Sequence, residues 1–292
     1  MPEIPSQSLL WLPRTLVRRL LAYYDSPDPD HPGRIIRGYD KAHALRTAKM
    51  CAALAQALGH PPEILRRFQL ACLLHDLGRT GLDQKLFGRI WTWAAIRGIP
   101  TRPAEWRAAH PDTPYGRETE AFWRLYAAEL LEEGVVMDQR ARAQIEMRLG
   151  YASRLRRRIR EIKTGLRQQG TPWEGWMEKV CLYYYYPEQM SGQAAWIREL
   201  GEVLVACEQF EAYNNRRRGS DYYHRNRERL GSAFTYLEGL RNRGQLGERV
   251  VETLFALTLL GVFNKLLAEA RGQALPRAEL AALRKTQRRK PA

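Results

Sequence analysis

Residues 73–79 have the sequence LLHDLGR, in which an apolar helical pattern ends in an adjacent His75 and Asp76 just before a glycine. Neighbouring residues of a helix point about 100° apart, so both side chains can bind one metal ion only where that helix packs against others. The stretch therefore predicts a metal site inside a helical protein, completed by ligands from other helices.

Three further residues have the chemistry to complete such a site. His43 lies in the middle of a helical pattern of small apolar residues, and His110 opens a His-Pro pair that follows Trp106. Glu208 follows the apolar run 203–207, where a buried carboxylate would be costly without a partner. Simpler roles stay open: His43 as a core histidine, His110 as a helix cap, and Glu208 as the partner of a buried arginine.

Imidazole nitrogens and carboxylate oxygens bind divalent ions but do not select strongly among them. We therefore expect Mn, Fe, Mg, Zn, Co or Ni, with one or two ions per chain and Asp76 able to bridge two. A bound ion would lower the pKa of a coordinated water and stabilise charge on a phosphoryl group. The predicted site is suited to the hydrolysis of phosphoesters.

Apolar residues recur at spacings of three and four through almost the whole chain, which predicts an all-α fold. Residues 1–38 are expected to form an N-terminal helix and a linker, because the Asp- and Pro-rich stretch 26–33 ends the first amphipathic pattern. A helical bundle domain is expected over residues 39–262, with one helix carrying His43 and the next ending at Gly78.

A segment of different composition interrupts this domain at about residues 117–178. It is dense in arginine, above all between Arg154 and Arg160, and is predicted to form a long, exposed, basic helical hairpin. Residues 263–292 are expected to finish a helix and continue as a disordered basic tail. This tail contains Arg284, Lys285, Arg288, Arg289 and Lys290.

The 292 residues include 47 basic and 32 acidic side chains, a net charge of +15. This charge concentrates anions near the surface, so we expect a phosphorylated small molecule or a nucleotide as ligand. Nucleic acid or another anionic surface is a further expected partner, through the arginine-rich segment and the basic tail.

The chain contains no run of 18 or more apolar residues, so no transmembrane segment is predicted. It begins with Pro2, Glu3 and Pro5 where a secretory signal would have basic and then apolar residues, and the expected location is the cytoplasm. The four cysteines occur singly in apolar helical patterns and are expected to be buried, free thiols.

Several ordered motifs resemble the HD superfamily of metal-dependent phosphohydrolases, and in particular its HD-GYP branch. The superfamily's ligand order H, HD, D is matched by His43, His75-Asp76 and Glu208. Three longer stretches are similar to the branch's LLHDIGKIG, EEW...HP and LAVADVYDAL motifs, namely residues 73–81, 105–111 and 204–213. The likeness extends over roughly residues 39–116 and 180–261 and implies an HD-domain helical bundle.

The resemblance implies metal-dependent hydrolysis of a phosphoester, such as a nucleotide or a cyclic dinucleotide like cyclic di-GMP. The implied metal ligands are His43, His75, Asp76, His110 and Glu208. Asp76 would also orient the attacking water. Phosphate would be held by Arg79, which stands where the family has Lys, and by Arg216 and Arg217.

Two departures from the family pattern bear on activity. Glu208 replaces the family's last Asp but is still able to bind a metal. Residues 185–193, YYPEQMSGQ, stand where the family has a paired His, then Glu, and a DGSGYP loop, so ligands of a second ion and the GYP motif are missing. A regulator that binds a nucleotide or a protein without turnover is therefore the alternative function. A nucleic-acid-binding scaffold driven by charge is a third.

Overall fold

The computed structural model describes residues 9–28, 31–218 and 230–287. These residues are mostly helical, with one pair of two-residue strands, which confirms the all-α prediction. Three residues of the expected basic tail, Arg288, Arg289 and Lys290, lie outside the described residues.

The described helices up to Asn214 are α1 (Arg14–Ala22), α2 (Lys41–Ala57), α3 (Pro62–Leu74), α4 (Gln84–Ile96), α5 (Pro103–Ala109), α6 (Glu118–Glu132), α7 (Gln139–Glu146), α8 (Tyr151–Gln168), α9 (Gly175–Leu182) and α10 (Ala195–Asn214). From Leu230 onward they are α11 (Leu230–Asn242), α12 (Glu248–Leu259), α13 (Asn264–Arg271) and α14 (Arg277–Gln287). Short 3₁₀ helices span Leu77–Arg79 and Pro187–Met190. Strands β1 (Ser26–Pro27) and β2 (Ile35–Ile36) pair antiparallel, with Ser26 opposite Ile36.

The chain divides into two compact units. The first contains the described residues of Met1–Val17, Ala42–Leu73 and Glu174–Ala292. Helix α10 is its central helix and packs against α9, α11, α12 and α13. Because apolar residues occur on several faces of α10, the helix is buried along most of its length.

Three of the four cysteines meet in the core of this first unit. Cys51 of α2, Cys72 of α3 and Cys207 of α10 are fully buried, and their thiols are close enough to interact. Burial raises the pKa of each thiol, and raises that of Cys51 and Cys207 well above the ordinary value. The prediction of buried, free cysteines is confirmed.

The second unit contains the described residues of Arg18–Lys41 and Leu74–Trp173. In its aromatic core, the ring centroid of Phe122 lies 5.4 Å from that of Trp91 and 5.8 Å from that of Trp106. Helix α7 packs against α4 and α6, and α8 packs against the 3₁₀ helix that follows α3. The border between the units falls in the last turn of α3, so His75 continues directly from a helix of the first unit.

The arginine-rich segment, expected as an exposed hairpin of two helices, contains the three helices α6, α7 and α8. Gly134, at a φ of +75°, follows α6 in the left-handed conformation that glycine adopts without strain. Helix α8 is not wholly exposed, because apolar residues at helical spacing bury one of its faces. Arg154 lies on that buried face, so the predicted arginine cluster is only in part a solvated surface.

Part of the segment that was expected to form a tail is helical in the structure. Arg284 and Lys285 lie in α14, which buries Leu283 and packs against α11. Glu279 in the first turn of α14 accepts a hydrogen bond from Arg271 at 2.8 Å. The buried leucine and this ion pair hold the helix in place against the mutual repulsion of its basic residues.

Within the described part of the chain, no single helix is both long and apolar enough to cross a membrane. Helices α12 and α13 meet the criteria of length and composition only when taken together, and the pair is bent by 85°.

Candidate metal centre

Three of the predicted ligands, His43, His75 and Glu208, lie together. One ligand atom of each lies within 4.8 Å of those of the other two. His43 belongs to α2, His75 follows the last residue of α3, and Glu208 belongs to α10. All three are buried, with exposed fractions of 2%, 3% and 7%. This three-ligand group could hold a metal ion.

The donor set of the three-ligand group fits a divalent transition metal. A carboxylate taken out of water is costly unless a cation or hydrogen bonds compensate it, and the Nε2 atoms of both histidines are buried as well. Two His and one Glu are the protein ligands of some catalytic zinc sites, where the remaining coordination positions are left for water and substrate. Such nitrogen and oxygen donors also accept Mn, Fe, Co or Ni.

A second carboxylate of α10, that of Glu211, fixes the ring of His43. Oε2 of Glu211 is hydrogen-bonded to Nδ1 of His43, and because an ionised carboxylate only accepts, Nδ1 carries the proton. The lone pair of His43 is therefore on Nε2, the nitrogen left to bind a metal. Carboxylates placed in this way orient a ligating histidine and raise its basicity.

Glu211 is itself surrounded by donors within the first unit. Its Oε1 accepts hydrogen bonds from Nε of Arg46 at 2.7 Å and from Nδ2 of Asn215 at 3.1 Å. Burial alone would raise the pKa of Glu211, but the effects of His43, Arg46 and Arg218 outweigh burial and lower the pKa to about 2. Glu211 thus stays ionised through the neutral pH range and keeps His43 oriented.

Asp76 and Arg79 lie beside His75, at the two ends of the 3₁₀ turn that follows α3. Oδ2 of Asp76 is 3.8 Å from Nε2 of His75, and Oδ1 is 3.4 Å from Nε of Arg79. The backbone N–H of Asp76 donates to the hydroxyl of Tyr24 at 3.3 Å. Since Asp76 and Arg79 are both buried, their carboxylate and guanidinium form a desolvated ion pair.

Helix α8 holds the backbone of this 3₁₀ turn. The hydroxyl of Tyr151 donates to the carbonyl of His75, and Arg154 donates to the carbonyls of Gly78 at 2.7 Å and Thr80 at 3.0 Å. Gly78 permits this close approach, because a Cβ atom there would lie 2.7 Å from the ring of Tyr151. The glycine of the LLHDLGR stretch is therefore required by packing.

The remaining predicted site residues lie outside the three-ligand group. His110 is the C-cap of α5, half-buried, with its ring centroid 4.3 Å from that of Trp106. Among the described residues, the group of mutually close ligand atoms includes neither His110 nor Asp76. Of the three arginines at 216–218, the first two are exposed, whereas Arg218 is buried near Glu211.

Tyrosines stand where the resembled family has its paired histidines. Tyr185 and Tyr186 are buried, and the hydroxyls of Tyr184 and Tyr236 are 2.6 Å apart. These side chains pack within the first unit and supply no imidazole. The three-ligand group accordingly offers donors for a single ion.

Sequence reasoning missed Glu211 and Arg46, although one signal for them was present. Glu208 and Glu211 are three residues apart on an apolar helix and so lie on one face, where both carboxylates need partners. By contrast, no local pattern indicates Tyr151 or Arg154 as part of the site. Their hydrogen bonds reach residues 76 positions away in the chain.

The candidate metal centre is defined by its geometry. That geometry is a buried group of two histidines and one glutamate, an ionised Glu211 behind His43, and an Asp76–Arg79 ion pair beside His75. The chain matches no protein-family model, no curated protein and no solved structure.

Proposed function

We propose that the protein is a metal-dependent phosphohydrolase of the HD type. The observation that carries this proposal is the buried group of His43, His75 and Glu208, whose ligand atoms lie within 4.8 Å of one another. These residues come from distant parts of the chain and occupy the H, the HD histidine and the final acidic positions of the resembled pattern. Their meeting in one place supports the resemblance.

A bound divalent ion would supply positive charge that lowers the pKa of water and stabilises a phosphoryl group. The residues of the chain perform the other tasks. His43, oriented by Glu211, and His75 contribute neutral nitrogens, and Glu208 contributes one negative charge. Asp76 accepts a hydrogen bond from the attacking water and orients it towards phosphorus.

Arg79 is assigned to the phosphate of the substrate. Its guanidinium is buried beside Asp76, so its orientation is fixed before a substrate arrives. A planar guanidinium can donate to two phosphate oxygens at once. The substrate would be a nucleotide or a cyclic dinucleotide. The roles assigned to His110, Arg216 and Arg217, a further ligand and two phosphate contacts, rest on the resemblance alone.

Elemental analysis of the purified protein, combined with a hydrolysis assay on nucleotides and cyclic di-GMP, tests this proposal. We expect about one metal ion per chain and product release that depends on it. His75→Ala should remove both metal and turnover, whereas His31→Ala, at an exposed histidine, should leave both unchanged. A metal-free protein, or full turnover in a folded His75→Ala variant, would contradict the proposal.

A second function, nucleotide-dependent regulation without turnover, is favoured by the small ligand set. The described residues bring three ligands together, and tyrosines replace the paired histidines of the family. A regulator would show a rise in melting temperature with nucleotide and no product, whereas the enzyme would release product when Mn is added. Binding of nucleic acid along the arginines of α8 would instead weaken steeply with salt.

A further inference from the structure

A cavity of about 430 Å³ lies within the second unit. Its walls are the β1–β2 pair with the residues after it, the loop from Arg79 to Gln84, and the first turns of α7. Its volume lies in the lower part of the range of roughly 300–1,000 Å³ that small-molecule sites occupy. Apart from Arg79, and from Tyr24 and Thr80 through their hydrogen bonds, the lining residues have no part in the site described so far.

The walls of this cavity are fixed by contacts within the second unit. Asp25 accepts a hydrogen bond from the backbone N–H of Gly38 at 2.9 Å, which holds the segment after β2. Arg154 donates to the carbonyl of Thr80 at 3.0 Å, which holds the opposite loop. A cavity whose walls are fixed in advance loses little conformational entropy when a ligand binds.

Positive charge exceeds negative charge along the lining. Arg37, Arg79 and Arg140 line the cavity together with the carboxylates of Asp40 and Asp83. Asp83 lies 3.6 Å from Arg140, so these two charges largely offset each other, and the three arginines exceed the two carboxylates by one charge. The balance of charge therefore favours an anionic ligand.

The rest of the lining suits a flat organic group. Tyr39 and Leu82 offer aromatic and apolar surface, on which a heterocyclic base can stack. Gln84 and Gln139 add amide groups that both donate and accept hydrogen bonds, as the edge of a base requires. A phosphate group alone would not use the aromatic ring of Tyr39 or the apolar side chain of Leu82.

Two lining residues also contact Asp76. Nε of Arg79 is 3.4 Å from Oδ1 of Asp76, and the hydroxyl of Tyr24 accepts a hydrogen bond from the backbone N–H of Asp76 at 3.3 Å. A phosphate bound by Arg79 would thus be shared between the cavity and the residue assigned to orient the attacking water.

We propose that this cavity binds the base and ribose of a nucleoside monophosphate whose phosphate is held by Arg79. The inference rests on the proposed function and narrows its substrate to a single nucleotide, because the cavity is small for two joined nucleotides. Arg37 and Arg140 strengthen binding through their charge, and Tyr39 stacks on the base.

Titration calorimetry with the four ribonucleoside monophosphates in EDTA tests the cavity without any contribution from metal. Ala143→Trp places an indole in the cavity and should weaken binding of the tightest nucleotide about tenfold or more. Ala128→Trp, on the exposed side of α6, is the matched control and should bind like the wild type. Equal affinity of a folded Ala143→Trp variant and the wild type, or no saturable binding of any nucleotide, would overturn the proposal.

A second pair of variants removes charge without adding volume. Arg37→Gln should weaken nucleotide binding about tenfold, the value of one charge-assisted hydrogen bond. Arg34→Gln, three residues earlier and outside the lining, should have no effect. Equal weakening by both variants would overturn the assignment, and so would ribose 5-phosphate binding as tightly as the nucleotide.

Failure of this inference can be told apart from failure of the proposed function. If the protein holds no metal but binds a nucleotide, and the cavity variants abolish that binding, the cavity is supported and the hydrolase is contradicted. If the protein hydrolyses a nucleotide in a metal-dependent reaction and the cavity variants leave the nucleotide affinities unchanged, only the cavity proposal is contradicted.

Discussion

Two buried carboxylates, Glu211 in the first unit and Asp76 in the second, are held in different ways. The side chain of Glu211 accepts hydrogen bonds from His43 and from Arg46. Asp76 has its backbone N–H bonded to a tyrosine, and its carboxylate lies 3.4 Å from Arg79. Glu211 therefore orients a candidate ligand, whereas Asp76 is positioned through its backbone, with its carboxylate close to His75 and Arg79.

Removing the supporting carboxylate should have the largest effect. Glu211→Ala leaves the buried charge of Arg218 and the partly buried charge of Arg46 without this carboxylate, and should lower the free energy of unfolding by about 3–5 kcal/mol. Urea unfolding followed by circular dichroism measures the change. Glu161→Ala, at an exposed carboxylate paired with Arg158, should cost about 0–1 kcal/mol. Equal losses in the two variants would contradict the difference drawn between supporting and surface carboxylates.

Acid should weaken the same support. The pKa of Glu211 is about 2 in the folded protein, below its ordinary value of 4.5. A lowered pKa contributes stability that is fully present above pH 4.5 and is lost as the pH falls towards 2. We expect the urea midpoint of the wild type to fall through this range and Glu211→Gln to flatten that fall. If both proteins show the same pH dependence, ionisable groups other than Glu211 cause the loss of stability in acid.

On the side of Asp76, replacing Arg154 should loosen the 3₁₀ turn. Arg154→Met removes its hydrogen bonds to two carbonyls of this region and should cost about 1.5–3 kcal/mol of unfolding free energy. Arg157→Met is the matched control, because Arg157 pairs with the same Glu146 but is exposed. Amide hydrogen exchange over residues 77–82 should become faster in the first variant only. Unchanged exchange in Arg154→Met would show that other contacts hold the turn.

The smallest effect is expected from one added methyl group. Gly78→Ala brings Cβ against the ring of Tyr151 and should destabilise the protein by about 1–3 kcal/mol. Gly175→Ala, where no atom lies within 4 Å of the added Cβ, should change stability by less than about 1 kcal/mol. Tyr151→Leu should relieve the clash, so the cost of Gly78→Ala should shrink in that background. If the free-energy costs of Gly78→Ala and Tyr151→Leu simply add, contact with Tyr151 is not the cause of the destabilisation.

The helices and the identity of the candidate ligands could be predicted because both depend on local signals. His43 and Glu208 each interrupt an apolar helical pattern with a group that is costly to bury, and the spacing of apolar residues indicates helices throughout. The small-residue pattern of α2 and the apolar pattern of α10 also predict burial, which the structure confirms. Each of these inferences needs only the residues within a few turns.

The rest depends on contacts between residues distant in sequence, which no spacing rule contains. Arg154 resembles its exposed neighbours in an arginine-rich run, and only its place opposite the 3₁₀ turn makes it a buried hydrogen-bond donor. The sequence of the C-terminal helix resembles a basic tail, and the ion pair between Glu279 and Arg271 that holds the helix is not visible in that pattern. The cavity likewise requires α7 and the segment after β2 to meet, and these are about a hundred residues apart.

The buried thiols of Cys51, Cys72 and Cys207 have a kinetic consequence. Alkylating reagents attack the thiolate, and burial with a raised pKa leaves almost none of it in the folded protein. Modification must therefore wait until the core opens, either locally or by unfolding. The rate at which these sulfurs are alkylated therefore measures the opening of the first unit, without any added label.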